Sequence, residues 1–132
     1  MAAIRENLAE VEKLAPLVVE EYRNRLMDRI AVLMKEQSLD LAQESLLSEV
    51  SIFAERSDIS EELSRLESHL VQFDELLDAR EPAGRKLGFL AQEMLREANT
   101  IGSKANDALI AQRVVEIKGH IDRIKEQTLN VV

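Results

Sequence analysis

Apolar residues recur every three or four positions along most of the 132-residue chain, and this spacing predicts amphipathic helices. In the first segment, charged residues separate Val18, Tyr22, Leu26, Ile30 and Leu33. Neither Gly nor Pro occurs between positions 17 and 81, where Leu, Ala, Glu and Arg dominate, and this composition favours helix. No segment alternates with a period of two for long enough to predict a strand. The chain is therefore predicted to be helical.

Turn and capping residues divide the pattern into five predicted helices. They cover about 3–36, about 39–56, a stretch from the 57–61 capping segment to about 80, about 85–105 and about 107–127. Pro16 marks either a kink or the start of a separate segment, Asp58 or Ser60 can cap the third helix, and the clearest turn is 81–84. We predict an all-α fold, in which long antiparallel helices form a hairpin or bundle. Narrow apolar stripes also indicate self-association, because long hairpins bury little surface alone.

Acidic residues outnumber basic ones by 25 to 17, but the excess belongs to one segment. Residues 36–78 carry a net charge of −10, residues 79–104 carry +2, and the two terminal segments are balanced. The net charge of −8 argues against non-specific binding to duplex nucleic acid, which requires neutralisation of phosphates. The chain has only four aromatic residues, too few to favour binding of single strands by base stacking. An acidic total with a small basic segment remains compatible with a selective RNA enzyme.

Several functional classes are excluded by missing features. Cysteine is absent, which excludes a disulfide framework, a cysteine metal site and a thiol nucleophile. The N-terminus lacks the pattern of a secretory signal, and no apolar stretch approaches the roughly 20 residues that span a bilayer. Walker, nucleophile-elbow and HExxH motifs are absent as well. The sequence predicts a soluble, cytoplasmic protein without a membrane partner.

Two histidines are present, His69 and His120. His69 lies on the third predicted helix, with Glu62 and Glu67 nearby in sequence. It is either a general acid or base, since imidazole titrates near neutral pH, or a partly exposed helical histidine without a chemical role. The local sequence does not decide between the two. His120, near the chain end, is the weaker functional candidate.

The fourth predicted helix carries the most informative pattern. Its apolar face consists of Leu87, Leu90, Ala91, Met94, Ala98 and Ile101. Glu93 and Glu97 are four residues apart on another face, where two carboxylates can hold a hard divalent cation whose other ligands are waters. The alternative is a solvated pair, with Arg96 as the surface ion-pair partner of Glu93.

Basic and small polar residues flank the same helix. Arg85 and Lys86 lie at one end and Lys104 at the other, in the only segment with a net positive charge. The run Asn99-Thr100-Ile101-Gly102-Ser103-Lys104 adds small polar groups that could contact phosphate or sugar oxygens. The segment is therefore a candidate phosphate-binding surface.

This stretch resembles the C-terminal signature of the YicC/YloC family of bacterial endoribonucleases. The likeness rests on Gly84-Arg85-Lys86-Leu87, Gln92-Glu93-Met94 and Arg96-Glu97-Ala98-Asn99-Thr100-Ile101-Gly102-Ser103-Lys104. It extends backwards through Glu49-Val50, Ala54-Glu55-Arg56-Ser57-Asp58-Ile59-Ser60-Glu61-Glu62-Leu63 and Arg65-Leu66-Glu67-Ser68-His69-Leu70. It extends forwards through Val114-Val115-Glu116-Ile117-Lys118 and Ile124-Lys125-Glu126-Gln127. The resemblance covers nearly the whole chain.

The resemblance implies that residues 1–132 are a single helical domain, the C-terminal part of a protein whose N-terminal α+β domain is absent here. It implies metal-assisted cleavage of structured RNA with Mn²⁺ or Mg²⁺, by an assembly that is hexameric in the family and expected to be a dimer or larger here. On that basis Glu93 and Glu97 are metal-binding or acid–base carboxylates, and His69 and Glu62 are further candidates for either role. RNA contacts are expected from Arg85, Lys86, Arg96, Asn99, Ser103 and Lys104.

Two positions depart from the family pattern, because Gly88 stands where Asp is usual and Leu95 where many members have Asn. Positions 88, 92, 95 and 99 share one helical stripe, which reads Gly, Gln, Leu, Asn in this chain. If the stripe binds metal or RNA, these departures weaken the activity of the protein or abolish it. If it packs against a partner helix, Leu95 strengthens that contact.

A hypothesis of a different class is a non-catalytic helical module for oligomerisation or partner binding. Its apolar stripes would mediate association, and the acidic segment 36–78 would be a solvated or partner-facing surface.

Overall fold

The computed structural model describes the backbone of residues 1–33, 39–78 and 84–129, and the side chains of residues 1–32, 44–78 and 84–127. Within these ranges the chain is all-α, without strands, as predicted. The five helices are α1 (Ala2–Leu33), α2 (Leu39–Arg56), α3 (Ser60–Leu77), α4 (Gly84–Ala105) and α5 (Ala108–Leu129). The predicted ends of the first and third helices, near residues 36 and 80, and most of the predicted 81–84 turn lie outside the described residues.

Local residues explain where several helices begin. α1 continues through Pro16, so this proline starts no separate segment. The N-cap of α3 is Ile59 and neither of the two predicted capping residues, and Ile59 makes no side-chain capping hydrogen bond. The Asp58 carboxylate, one residue earlier, accepts the backbone N–H of the first α3 residue at 3.0 Å. Asn106, with a left-handed φ of 44°, and Asp107 separate α4 from α5. The Asp107 carboxylate accepts the N–H of Ile110 at 3.0 Å, which satisfies a free donor at the start of α5.

α1, α3, α4 and α5 pack together as a four-helix bundle. α4 lies between α3 and α5, and α1 contacts α5 and, over a shorter stretch, α3. Glu62 of α3 contacts Lys104 of α4, whereas the later Arg65 contacts the earlier Glu97, so α3 and α4 are antiparallel. The predicted antiparallel arrangement is thus present in the bundle.

The core of the bundle lies around α4. All six residues of its predicted apolar face are buried: Leu87, Leu90, Ala91, Met94, Ala98 and Ile101. They pack against apolar residues of the neighbouring helices, including Leu66, Leu70, Phe73, Ile117 and Ile121. Burial of one Leu, Ile, Met or Phe side chain stabilises the fold by about 1.5–3 kcal/mol relative to leaving it exposed. At Gly102 an added Cβ would lie 3.3 Å from a Val114 methyl, so the glycine permits close approach of α5.

α2 packs mainly on α1, where the rings of Tyr22 and Phe53 stack with centroids 3.8 Å apart. We call α2 and the second half of α1, residues 17–33, the α1–α2 hairpin. Large apolar side chains remain exposed on it: Leu17, Met27, Val32, Leu47 and Ile52. None of the described helices is long and apolar enough to cross a membrane.

Candidate functional site

His69 of α3 and Glu93 and Glu97 of α4 meet where these two helices pack. One potential ligand atom of each residue lies within 4.8 Å of those of the other two. Glu93 and Glu97 are one helical turn apart and are therefore neighbours on the surface of α4. Glu97 is buried, whereas His69 and Glu93 are half-buried. We call these three residues the acid–histidine cluster, and it contains three of the four predicted catalytic residues.

Glu62, the fourth, lies at the same interface but nearer the end of α4. Its side chain is only 4% exposed. Its Oε1 accepts a hydrogen bond from Lys104 Nζ at 2.8 Å, and Arg65 Nη2 lies 3.5 Å from the same oxygen. Its Oε2 is buried and has no hydrogen-bond partner among the described residues. Because a buried carboxylate requires such pairing, Glu62 is held as an ion-pair partner beside the cluster.

Arg65 connects Glu62 to the acid–histidine cluster, because its Nε also donates to Glu97 Oε1 at 2.9 Å. No role was predicted for Arg65, although it belongs to one of the runs that resemble the family. A signal was present, however. Positions 62, 65 and 69 are spaced by three and four, which places Glu62, Arg65 and His69 on neighbouring turns of one helix face.

The charges at this interface shift each other's pKa. Burial opposes ionisation of Glu62, but the hydrogen bond from Lys104 and the charges of Lys104 and Arg65 outweigh it, so the pKa of Glu62 lies below its ordinary value. The hydrogen bond to Glu62 raises the pKa of Lys104, and the hydrogen bond to Glu97 raises the pKa of Arg65. At neutral pH the contacts of Lys104 and Arg65 with Glu62 are therefore true ion pairs.

The acid–histidine cluster has the chemistry of a divalent-cation site. An imidazole nitrogen and two carboxylate oxygens are suitable ligands for Mn²⁺, while Mg²⁺ would use the carboxylates and water. The His69 Nδ1 atom is buried and without a hydrogen-bond partner among the described residues, so its bonding capacity is unused. Glu93 and Glu97 repel each other at this distance, and a cation would offset that repulsion. The residues present thus fit the metal that the resemblance implies.

The residues predicted to contact RNA do not form one patch. Arg85 and Lys86 are exposed on the first turn of α4. Ser103 and Lys104 lie near its other end, about 27 Å from Lys86 at 1.5 Å per residue. Lys104 is already engaged by the Glu62 carboxylate. These two groups can therefore contact only different phosphates of a strand.

Arg96 and Asn99 line an open groove on the α5 side of α4. We call it the α4–α5 groove, and its remaining walls are Gln92, Glu93, Leu95, Thr100, Lys118 and Asp122. Arg96 makes no ion pair with Glu93 within the described part of the chain, unlike the surface pair that the spacing allowed. Glu93 belongs both to this groove and to the acid–histidine cluster. The groove and the cluster therefore meet at Glu93.

The stripe of positions 88, 92, 95 and 99 runs along the groove side of α4. Gln92 Oε1 accepts a hydrogen bond from Lys125 Nζ of α5 at 3.0 Å. Leu95 is half-buried and packs against the core of its own bundle. At Gly88 an added Cβ would meet no atom within 4 Å, so a larger side chain fits there.

Comparison with known proteins identifies relatives of this chain. Residues 11–132 match the family described as "Endoribonuclease YicC-like, C-terminal". The chain is 41% identical over 128 residues to "Probable endoribonuclease YicC" of Clostridioides difficile, and the aligned region covers 97% of this chain and 43% of that protein. It is 34% identical over 122 residues to the protein of that name from Haemophilus influenzae, and here the aligned region covers 92% of this chain and 41% of that protein.

The chain thus spans about two fifths of the length of these relatives. The resemblance seen in the sequence is confirmed over most of the chain by both kinds of comparison. The chain belongs to the family of YicC-like endoribonuclease C-terminal domains.

Proposed function

We propose that this chain is the RNA-cleaving C-terminal domain of a longer endoribonuclease and that it uses a divalent cation, Mn²⁺ or Mg²⁺, held by His69, Glu93 and Glu97. The observation that supports this most is the approach of these three side chains to within 4.8 Å in a chain of this family. The proposal includes an N-terminal α+β domain in the longer protein, since the relatives are more than twice as long.

A cation bound at this site would stabilise negative charge on a phosphoryl oxygen and acidify a bound water. Glu93 lines the open groove and can accept a proton there, while His69 can hold or donate one at a ring nitrogen. Glu97 is buried at the interface of α3 and α4, so it serves as a ligand with little freedom to move. Glu62 contacts Arg65 and Lys104, and its role is to position them.

We propose that the RNA backbone follows the α4–α5 groove. Arg96, Asn99 and Lys118 line this groove and can contact phosphate and sugar oxygens. A strand in the groove passes Glu93, which brings a phosphate close to the acid–histidine cluster. Arg85 and Lys86 at one end of α4, and Ser103 and Lys104 at the other, supply further contacts. Binding of this kind weakens as the salt concentration rises.

Cleavage of a structured RNA with Mn²⁺ or Mg²⁺ tests the proposal. The assay compares the 132-residue chain with the longer protein that contains it, and we expect little cleavage by the chain alone. In the longer protein Glu97→Gln, which keeps the shape and removes the charge, should slow cleavage by about 100-fold or more. Glu116→Gln, at an exposed position on α5, is the matched control and should leave the rate unchanged. Intact RNA after incubation with the folded longer protein would overturn the proposal.

The second candidate function is a non-catalytic helical assembly module. It is favoured by the exposed apolar residues of the α1–α2 hairpin, because an exposed apolar side chain is stabilised when a partner covers it. Light scattering at micromolar concentration tests it, and a strict monomer would contradict it. A salt titration of RNA binding separates the two functions, because binding that ignores salt is incompatible with the phosphate contacts of the first proposal.

A further inference from the structure

Arg65 lies one turn from His69 on α3 and contacts the acid–histidine cluster directly. Its Nε donates to Glu97 Oε1 at 2.9 Å, and its Nη2 lies 3.5 Å from Glu62 Oε1. The guanidinium is thus placed between two buried carboxylates, one of which belongs to the proposed cation site. Lys104 already pairs with Glu62. The need to pair Glu62 therefore does not explain why Arg65 also contacts the acid–histidine cluster.

The Arg65 hydrogen bond engages a carboxylate that the cluster would offer to a metal. One of the two oxygens of Glu97 is bound to the guanidinium. An arginine keeps its positive charge at any working pH, and it repels a divalent cation that lies a few ångströms away. Arg65 and a divalent cation therefore compete for Glu97.

Arg65 also has a second partner outside the cluster. Its Nη1 lies 3.4 Å from Glu61 Oε2, four residues earlier on α3. The side chain of Glu61 is 82% exposed and that of Arg65 is 48% exposed, so the guanidinium can move towards solvent without disturbing the core. The exposed pair of Arg65 with Glu61 contributes little energy. The transfer of Arg65 from the buried Glu97 therefore depends on the cation, which replaces the guanidinium as the partner of that carboxylate.

We propose that Arg65 is a tethered counter-charge of the cation site, which holds Glu97 in the metal-free protein and passes to Glu61 when a divalent cation binds. The inference rests on the cation site of the proposed function. In this role Arg65 keeps the buried Glu97 paired before the cation arrives. It also lowers the affinity of the site, so that the cation remains exchangeable.

Mn²⁺ binding to the 132-residue chain without RNA tests this role. The electron paramagnetic resonance signal of free Mn²⁺ gives the Kd directly and does not depend on cleavage. Arg65→Gln should tighten Mn²⁺ binding by about tenfold, the size expected when one positive charge beside a divalent cation is removed under water-like screening. Arg65→Lys, which keeps the charge, should bind with an affinity close to that of the wild type.

The matched control is Arg5→Gln, because Arg5 of α1 also pairs with a carboxylate of another helix. It lies 2.6 Å from Asp74 and its side chain is 45% exposed. Arg5→Gln should leave Mn²⁺ binding unchanged. Circular dichroism confirms that each variant is folded, and unchanged or weaker Mn²⁺ binding by folded Arg65→Gln overturns the inference.

A second variant tests the role of Arg65 while leaving its hydrogen bond to the buried Glu97 in place. Glu61→Gln takes away the exposed carboxylate that receives Arg65, so Mn²⁺ binding should weaken. Glu67→Gln removes the same charge from another exposed position on α3 and should have a smaller effect. Equal effects of Glu61→Gln and Glu67→Gln contradict the inference, because only general electrostatics would then be involved.

The outcomes separate this inference from the proposed function. If the wild type and Arg65→Gln bind Mn²⁺ equally well, the inference fails and the cation site stands. If neither binds Mn²⁺, both fail. If Mn²⁺ binding behaves as expected but the longer protein leaves RNA intact, the proposed function fails and the role of Arg65 stands.

Discussion

α4 packs against two helices, and the two interfaces differ in chemistry. Towards α5 the buried contacts are apolar, with Ile117 and Ile121 fully buried and Gly102 allowing close approach of Val114. Towards α3, buried apolar residues are joined by four charged groups at the edge, namely Glu62, Arg65, Glu97 and Lys104. Apolar burial stabilises a fold, whereas a buried ion pair contributes about as much as the apolar residues that could replace it. Apolar burial in both interfaces therefore accounts for stability, whereas the charges of the α3–α4 interface indicate a function.

The largest expected effect on stability comes from the apolar interface. Ile117→Ala should lower the free energy of unfolding by about 2–5 kcal/mol, because it removes a fully buried side chain and leaves a cavity. Urea denaturation followed by circular dichroism measures the loss. Val115→Ala, two residues away and 68% exposed, is the control and should change the stability by less than about 0.5 kcal/mol. Equal losses for the two variants would show that α5 is not packed as described.

The charged interface should respond differently to single and double changes. Lys104→Met should lower the free energy of unfolding, because the buried Glu62 carboxylate loses its nearest partner. The double variant Glu62→Met with Lys104→Met should regain most of this loss, since apolar pairs commonly replace buried ion pairs without cost. Denaturation of four proteins, the wild type, the two single variants and the double variant, measures the coupling. Additive losses would contradict the proposed distinction between the two interfaces.

The same pair predicts how stability depends on pH. The pKa of Glu62 is lowered from its ordinary value of 4.5, so its stabilising contribution is present above pH 4.5 and is lost as the pH falls through the lower folded-state value. The pKa of Lys104 is raised from 10.5, so its contribution is present below pH 10.5 and is lost as the pH rises further.

The stability of the wild type relative to the double variant should therefore form a plateau between pH 4.5 and 10.5 and decline on both sides. Thermal unfolding of both proteins across this range provides the measurement. A relative stability that stays flat into the acid range would argue against an ionised, paired Glu62.

The smallest effect is expected on the groove side of α4. Gly88→Asp should change the stability by no more than about 0.5 kcal/mol, because the position is open and Asp is a slightly better helix former than Gly. Leu95→Asn should cost about 1 kcal/mol, since Leu95 is half-buried against the core. Despite this cost, we expect the pair of changes to raise RNA cleavage by the longer protein modestly. Unchanged cleavage would indicate that this stripe serves packing alone.

Much of the fold followed from spacing along the chain. The apolar face of α4 was predicted residue by residue, and α2 has the bounds that were expected. Helical periodicity is a local property, and a residue's position on a helix face depends only on its neighbours within a few turns. Glu93 and Glu97 were therefore predictable as a pair. Their approach to His69 was not predicted, because it depends on how α3 and α4 pack together.

Arg65 shows what the spacing could not supply. Its place on one face with Glu62 and His69 was predictable from the sequence. Its contact with Glu97 was not, because the two residues lie on different helices and are 32 positions apart in sequence. Lys104 is a similar case, because a basic residue predicted to contact RNA is also the closest partner of a buried carboxylate. Such contacts depend on how far one helix is shifted along another, and apolar packing over the whole interface determines that shift.

The sequence by itself determined an all-α chain, the buried face of α4, the confinement of negative charge to one segment and the resemblance to YicC-like endoribonucleases. The tertiary structure alone decided that His69, Glu93 and Glu97 meet, that Arg65 and Lys104 pair with buried carboxylates, and that Arg96 and Asn99 face the other side of α4. The physical reason is that helix formation and amphipathicity are local, whereas the approach of side chains from different helices depends on the packing of the whole bundle.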